Sequence, residues 1–242
     1  MKFGEYFGIV FLLAILFIGC RTGRNEDKQG EVFFSGRPEQ VLAGNFDLKI
    51  DIDSLVGKKN SYAFGVLDSL RGMFQVFDGR PEYSVLEGDS VVVSTNLDSQ
   101  AAFLVYCQTA EWSQIALPAS VANTEALVGF LEYNETLKLD TEIPFVFLIE
   151  GIAEQLDWYI VPELLIESDS LRSNQSNELG MGTINNKYIE IIGVYTTDDN
   201  GGFTSENIPI HMHFKTADGT LAGHVDHLEL GAEMSLRIPK TY

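Results

Sequence analysis

Cysteine is nearly absent from this chain: its 242 residues hold two, Cys20 and Cys107. That excludes a small disulfide-stapled scaffold, which needs several pairs. Basic residues are also scarce, with 16 Lys and Arg against 35 Asp and Glu and a formal charge of −19. Nucleic-acid binding needs a basic footprint to neutralise phosphates, so that class is excluded. The same acidic surface repels a small anionic substrate unless something local supplies positive charge, as a bound divalent metal does. No apolar run is long enough to span a bilayer comfortably, which takes about 20 residues. The apolar stretch Phe7–Ile18 falls short of that. Low-complexity tracts and fixed-period repeats are missing as well. Histidine is rare, and its placement is not random. All 4 histidines fall between Ile208 and Leu228, in IPIHMHFKTADGTLAGHVDHL.

In that segment two apolar-containing runs flank Asp218-Gly219, a strong hairpin signal. A two-residue turn there sets Ala217 opposite Thr220 and, counting outward, His213 opposite His224. Opposed residues of an antiparallel pair share a face, and His211, two residues before His213, shares it too. Three imidazoles then converge from two strands. His227 lies three residues past His224 and points to the other face. Neutral imidazole is the commonest protein ligand of zinc, and three protein ligands with one open position suit a catalytic site. His211, His213 and His224 are therefore the predicted ligands of Zn2+, with manganese, iron or nickel behind it. Asp226 would face His211 and orient its ring.

The start of the chain has a different character. Lys2 precedes the apolar run, which ends at Phe17-Ile18-Gly19-Cys20. This resembles the cleavage and acylation box of a bacterial lipoprotein, with Phe in place of the usual Leu. Residues 1–19 then form a signal peptide, Cys20 carries the lipid, and 20–38 form a flexible tether. The folded domain takes 39–242, and the protein is expected in the bacterial cell envelope, held to a membrane by its lipid. A plain signal anchor or an uncleaved secretory peptide is the alternative. With Cys20 acylated, Cys107 is a lone thiol in the apolar run AFLVYC and reads as buried filler.

Along the body, strands are predicted over Ser61–Leu67, Met73–Phe77, Tyr83–Leu86, Ser90–Thr95, Ala101–Cys107, Ile143–Gly151 and Tyr188–Thr196. The histidine hairpin follows, and Leu228–Ile238 finishes the sheet. Asn123 or Thr124 caps a helix to Tyr133 that buries Leu127, Phe130 and Leu131. Short helices are expected from Asp53 or Ser54 to Gly57 and over PELLIES from Pro162, with a polar loop SDSLRSNQSN after it. Hairpins prevail over β-α-β alternation, so the fold class is α+β with mixed or antiparallel sheets and a few short helices.

The spacing His-x-His-(ten residues)-His, read as HMHFKTADGTLAGHV, resembles the metal-binding segment of the α-acetolactate decarboxylases, HLHF…GGHV. FGVLDSLRGMFQVFDG, Phe64–Gly79, is similar to the family's GTFNxLDGEMxxLDG. FVFLIEG and IVPE agree in pattern with FAIRIEG and the following RxVP, and the resemblance runs from about Val41 to Leu230. It implies two related halves, a metal in a cleft and often a homodimer. It also implies decarboxylation of a small 2-hydroxy-3-oxo acid, 2-acetolactate, to acetoin. The resemblance breaks at the family's other active-site positions. Its threonine falls on Val66, its glutamate on Met73 and its carboxylate-holding arginine on Leu148, while a further glutamate falls past Tyr242. Leu offers no donor where Arg would grip a carboxylate in two places. Arg71, near Met73, and Glu150, two residues from Leu148, are the candidate catalytic replacements. The alternative to the enzyme is a catalytically degenerate metal-binding lipoprotein of the family, binding or acting on another small oxo or hydroxy acid.

Overall fold

The computed structural model describes residues 30–36, 50–68, 72–88, 90–96, 100–160, 180–197 and 208–240. Cys20, Arg71 and the expected helix from Pro162 lie outside the described residues. The strands are β1 (Val32–Ser35), β2 (Ile50–Asp51), β3 (Ser61–Leu67), β4 (Gly72–Phe77), β5 (Arg80–Glu87), β6 (Ser90–Ser94), β7 (Gln100–Gln108) and β8 (Trp112–Ala116). After the helix α1 (Thr124–Tyr133) come β9 (Phe145–Tyr159), β10 (Met181–Tyr195), β11 (Ile210–Thr216), β12 (Ala222–Leu230) and β13 (Ser235–Pro239). Val32–Ser35 sit inside the stretch read as tether, yet they pair with β7 from Val32–Cys107 to Ser35–Leu104.

Two sheets result. The first runs β1-β7-β3-β4-β5-β6, with β2 added on β7, and the second runs β10-β11-β12-β9-β13-β8. A further β9–β10 pairing along both long strands closes the second sheet on itself. Every strand pairing among the described residues is antiparallel. Of the expected mixed or antiparallel sheets the antiparallel form is found, while the expected α+β class is corrected to mostly β, with α1 and one 3-10 turn, Ile52–Ser54, among the described residues. The cap of that short turn is Asp51, whose carboxylate accepts from the Asp53 N–H at 2.9 Å, rather than Asp53 or Ser54. Asn123 caps α1 as its sequence suggests, accepting from Ala126 N–H at 2.9 Å. Leu127 and Leu131 are buried, and Phe130 is half-buried.

Local sequence explains the meander β3-β4-β5-β6. Asp78 and Gly79 both take positive φ, 53° and 73°, between the paired residues Phe77 and Arg80. That is the primed two-residue turn whose twist matches the strands. Alternation then sorts side chains. Phe64, Phe103 and Val105 point toward the second sheet and pack with Val146, Leu148, Ile192 and Val194. Phe74, Val76, Tyr83 and Leu104 point the other way and are closed by Ile52 and Leu55. Inside the curl of the second sheet, Phe147, Ile149, Leu156, Ile191 and Phe214 form the largest cluster, which α1 covers with Leu127 and Leu131. The candidate site lies in the layer between the sheets.

Candidate metal centre

β11 and β12 carry the site. Their register pairs Lys215 with Ala222, Phe214 with Gly223 and His213 with His224. The connection is not the expected two-residue turn. Thr216 N–H donates to Leu221 O at 2.9 Å, and Gly219 N–H donates to Thr216 O at 2.9 Å, which makes a four-residue loop over 217–220. The Asp218 carboxylate causes this. It accepts from the hydroxyls of Thr216 and Thr220, each at 2.6 Å, while Leu221 N–H donates to the Thr216 hydroxyl at 3.1 Å. The longer loop stays centred on the Asp218–Gly219 bond, so the pairing is the one the shorter turn requires.

The histidine rings gather on one face. Ring centroids lie 5.3 Å apart for His211–His213, 4.6 Å for His211–His224 and 5.7 Å for His213–His224. One nitrogen from each falls within 4.8 Å of the others. His213 is fully buried. Both of its ring nitrogens and Nδ1 of His224 are buried without a hydrogen bond of good geometry among the described residues. Burial above all, and then the neighbouring His211, hold His213 well below the ordinary imidazole range, with the Phe74 backbone acting weakly in the other direction. His224 is held low by burial, then by His211 and His213. Both rings are therefore neutral near pH 7 and offer lone pairs. Two neutral imidazoles with buried, unsatisfied nitrogens, joined by His211 within 4.8 Å, fit a divalent transition metal, and they fit a filled core poorly.

The walls were not foreseen. Phe64 from β3 stacks on His211 at 5.5 Å and 25° and lies 4.9 Å from His213. Phe103 from β7 stands 6.4 Å from His211, and Tyr159 from β9 lies 4.4 Å from His224. The period-2 alternation of SYAFGVL carries the only sequence signal for Phe64, and nothing local marks Tyr159. Gly223 lets β12 come close to β9. A Cβ there would meet Tyr159 O at 2.8 Å, beside the His224–Tyr159 pair.

Other predicted residues fall as follows. His227 is about half exposed and lies 3.7 Å from a Glu229 carboxylate oxygen, apart from the cluster. Asp226 does not pair with His211. β12 shifts register against β9 between Val225 and His227, Asp226 is exposed at that point, and β11–β12 pairing ends at His213–His224. Glu150 is not brought to the histidines either. It forms an ion pair with Arg237 and accepts from the Ser235 hydroxyl at 3.2 Å, both from β13. Val66 and Met73 are direct cross-strand partners. Leu148 is buried opposite Ile192, which itself lies opposite His213. An apolar side of the site therefore stands where the family resemblance places a threonine, a glutamate and an arginine. Cys107 is buried filler, its thiol pushed up to about 12 by burial.

A two-sheet antiparallel β fold with three histidines converging from one hairpin between the sheets defines a protein with a candidate metal centre. Comparison with known proteins makes the assignment specific. The family model for alpha-acetolactate decarboxylase matches residues 32–241, and the chain belongs to that family. Among solved structures, the chain is similar to a Staphylococcus aureus protein of unknown function described as similar to alpha-acetolactate decarboxylase, with a TM-score of 0.66 at 14% identity over 87% of this chain and 85% of that one. It is also similar to the alpha-acetolactate decarboxylase of Bacillus subtilis strain 168, with a TM-score of 0.61 at 14% identity over 87% and 86%. The acetolactate decarboxylase of Bacillus subtilis subspecies spizizenii gives 0.60 at 16% identity over 88% and 87%. No curated protein sequence matches the chain.

Proposed function

We propose that the chain binds a divalent metal, zinc first, through His211, His213 and His224, and decarboxylates a small 2-hydroxy-3-oxo acid of the acetolactate type. The observation that carries this reading is the convergence of three histidines within 4.8 Å in a member of this family. When bound, the metal supplies Lewis acidity where negative charge develops as carbon dioxide departs. The chain does the rest. Neutral His213 and His224 keep their lone pairs available, and Phe64 and Phe103 set apolar rings against His211 and His213, where lower local polarity strengthens electrostatic interactions.

A second reading has its own observation. Val66, Met73 and Leu148 present no donor to a substrate carboxylate, and loss of one charge-stabilising donor typically costs about 10²–10³ in rate. A chain that binds metal and ligand without turnover fits that set. The two readings part in one experiment. The full chain is loaded with zinc, given racemic acetolactate and assayed for acetoin against a metal-free control. Zinc-dependent acetoin supports the enzyme, and stoichiometric zinc without acetoin selects the binding protein. We propose further that Cys20 carries a lipid that holds the chain to a membrane. Cys20→Ser then releases it to the soluble fraction, and continued retention points to an uncleaved anchor.

A further inference from the structure

The layer between the sheets contains two buried polar side chains, each with an oxygen that nothing among the described residues satisfies. Gln75 on β4 and Ser84 on β5 are both 0% exposed. Oε1 of Gln75 and Oγ of Ser84 have no hydrogen-bond partner among the described residues. Register fixes which way they face. Gln75 pairs with Phe64 on one side and Glu82 on the other. Directly opposed residues share a face. Phe64 lies on His211 and His213, and the Glu82 carboxylate lies 3.4 Å from Nζ of Lys215, two residues along β11 from His213. Gln75 is thus bracketed by two residues that touch the histidine strand. Ser84 sits on the same face, opposite Met73, and β12, the strand of His224, packs against both β4 and β5.

The amide of Gln75 is also oriented. Its Nε2 lies 3.5 Å from Oε2 of Glu82, an acceptor, which leaves Oε1 as the free end. A buried carboxamide oxygen and a buried hydroxyl without partners are costly, and native proteins keep such groups where a ligand or water satisfies them. Oε1 of Gln75 only accepts, so its missing partner is a donor.

We infer that Gln75 and Ser84 form a neutral hydrogen-bonding subsite beside the three histidines, which selects a ligand by its hydroxyl group. This rests on the metal reading above and deepens it. The ligand hydroxyl donates to Gln75 Oε1, and Ser84 Oγ supports the same group. Specificity then comes from an uncharged pair in a chain whose Leu148 gives no grip on a carboxylate.

Two small ketones of matched size test this on the zinc-loaded full chain: acetoin, which has a hydroxyl beside its carbonyl, and butanedione, which has none. Affinities are read by calorimetric titration, and zinc content is measured in the same samples. The wild-type chain is expected to bind acetoin at least about 10-fold more tightly, because a butanedione complex leaves the buried acceptor unpaired. Gln75→Met should abolish that preference while leaving zinc content and butanedione affinity unchanged. Ser84→Ala should reduce it, and serves if the first variant fails to fold. A zinc-loaded wild type that binds both ketones alike, or variants that keep the preference, overturns the subsite alone. A wild type that holds no zinc overturns the metal reading and this inference with it.

Discussion

Replacing His213 by leucine is expected to stabilise the metal-free chain and to destabilise it relative to wild type once zinc is present. His213 is 0% exposed, and both ring nitrogens are buried without a hydrogen bond of good geometry. A buried polar group left unsatisfied costs about 1–3 kcal/mol. The Phe74 backbone offsets part of that, so the net gain for a leucine of similar volume is about 1–2 kcal/mol. For a domain of this size each kcal/mol moves the melting temperature by about 2–4 °C, so the variant should melt roughly 2–8 °C higher in chelator. Zinc at 100 times its dissociation constant adds about 2.7 kcal/mol to a chain that binds it only when folded. The wild type gains that increment and His213→Leu does not, so the order of the two reverses. Thermal unfolding followed by circular dichroism, with EDTA and then with zinc, reads both. A variant that melts lower in EDTA would show His213 to be a satisfied structural residue. Equal zinc shifts in both proteins would show that His213 holds no metal.

His227→Ala should leave zinc stoichiometry intact, because that ring is half exposed beside Glu229 and outside the cluster; dialysis followed by elemental analysis decides it. Gly223→Ala should push β12 away from β9 at Tyr159 O, costing about 1–3 kcal/mol and weakening zinc binding through His224, and a variant with unchanged affinity would mean the strand absorbs the methyl. The Cys107 thiol titrates near 9.0 when unfolded and at about 12 when folded. The folded chain therefore keeps a proton that the unfolded chain releases. This contribution is fully present below pH 9.0 and falls by about 1.4 kcal/mol per pH unit as pH rises toward 12. Iodoacetamide should accordingly leave the native thiol unmodified at pH 8, and rapid alkylation there would contradict its burial.

The histidine cluster was legible because it depends on local arithmetic. Two strands and a symmetric turn place His213 opposite His224 whether the loop has two residues or the observed four, provided it stays centred on Asp218–Gly219. Strands with one clearly apolar face were equally legible, and β3 spans the expected Ser61–Leu67. Edges and extensions were not. β8, WSQIA, is mostly exposed, and its strand character comes from pairing with β13. β9 runs eight residues past Gly151 and β10 starts seven before Tyr188, through polar sequence such as GTINNK that each strand stabilises in the other. Glu150 illustrates the remaining gap. Its own strand pattern put it near Leu148, but Arg237, which pairs with it, comes from a strand 87 residues later. The buried acceptor of Gln75 was hidden for the same reason, since MFQVF reads as an ordinary strand until the second sheet covers it.

Equilibrium dialysis of the full chain against zinc, with elemental analysis, tests most directly whether three histidines from one hairpin make a metal site. One tightly held zinc per wild-type chain, lost in each of His211→Ala, His213→Ala and His224→Ala, is the expected result. A wild-type chain that retains no zinc, or single variants that retain it fully, would contradict the metal site and the decarboxylase reading built on it.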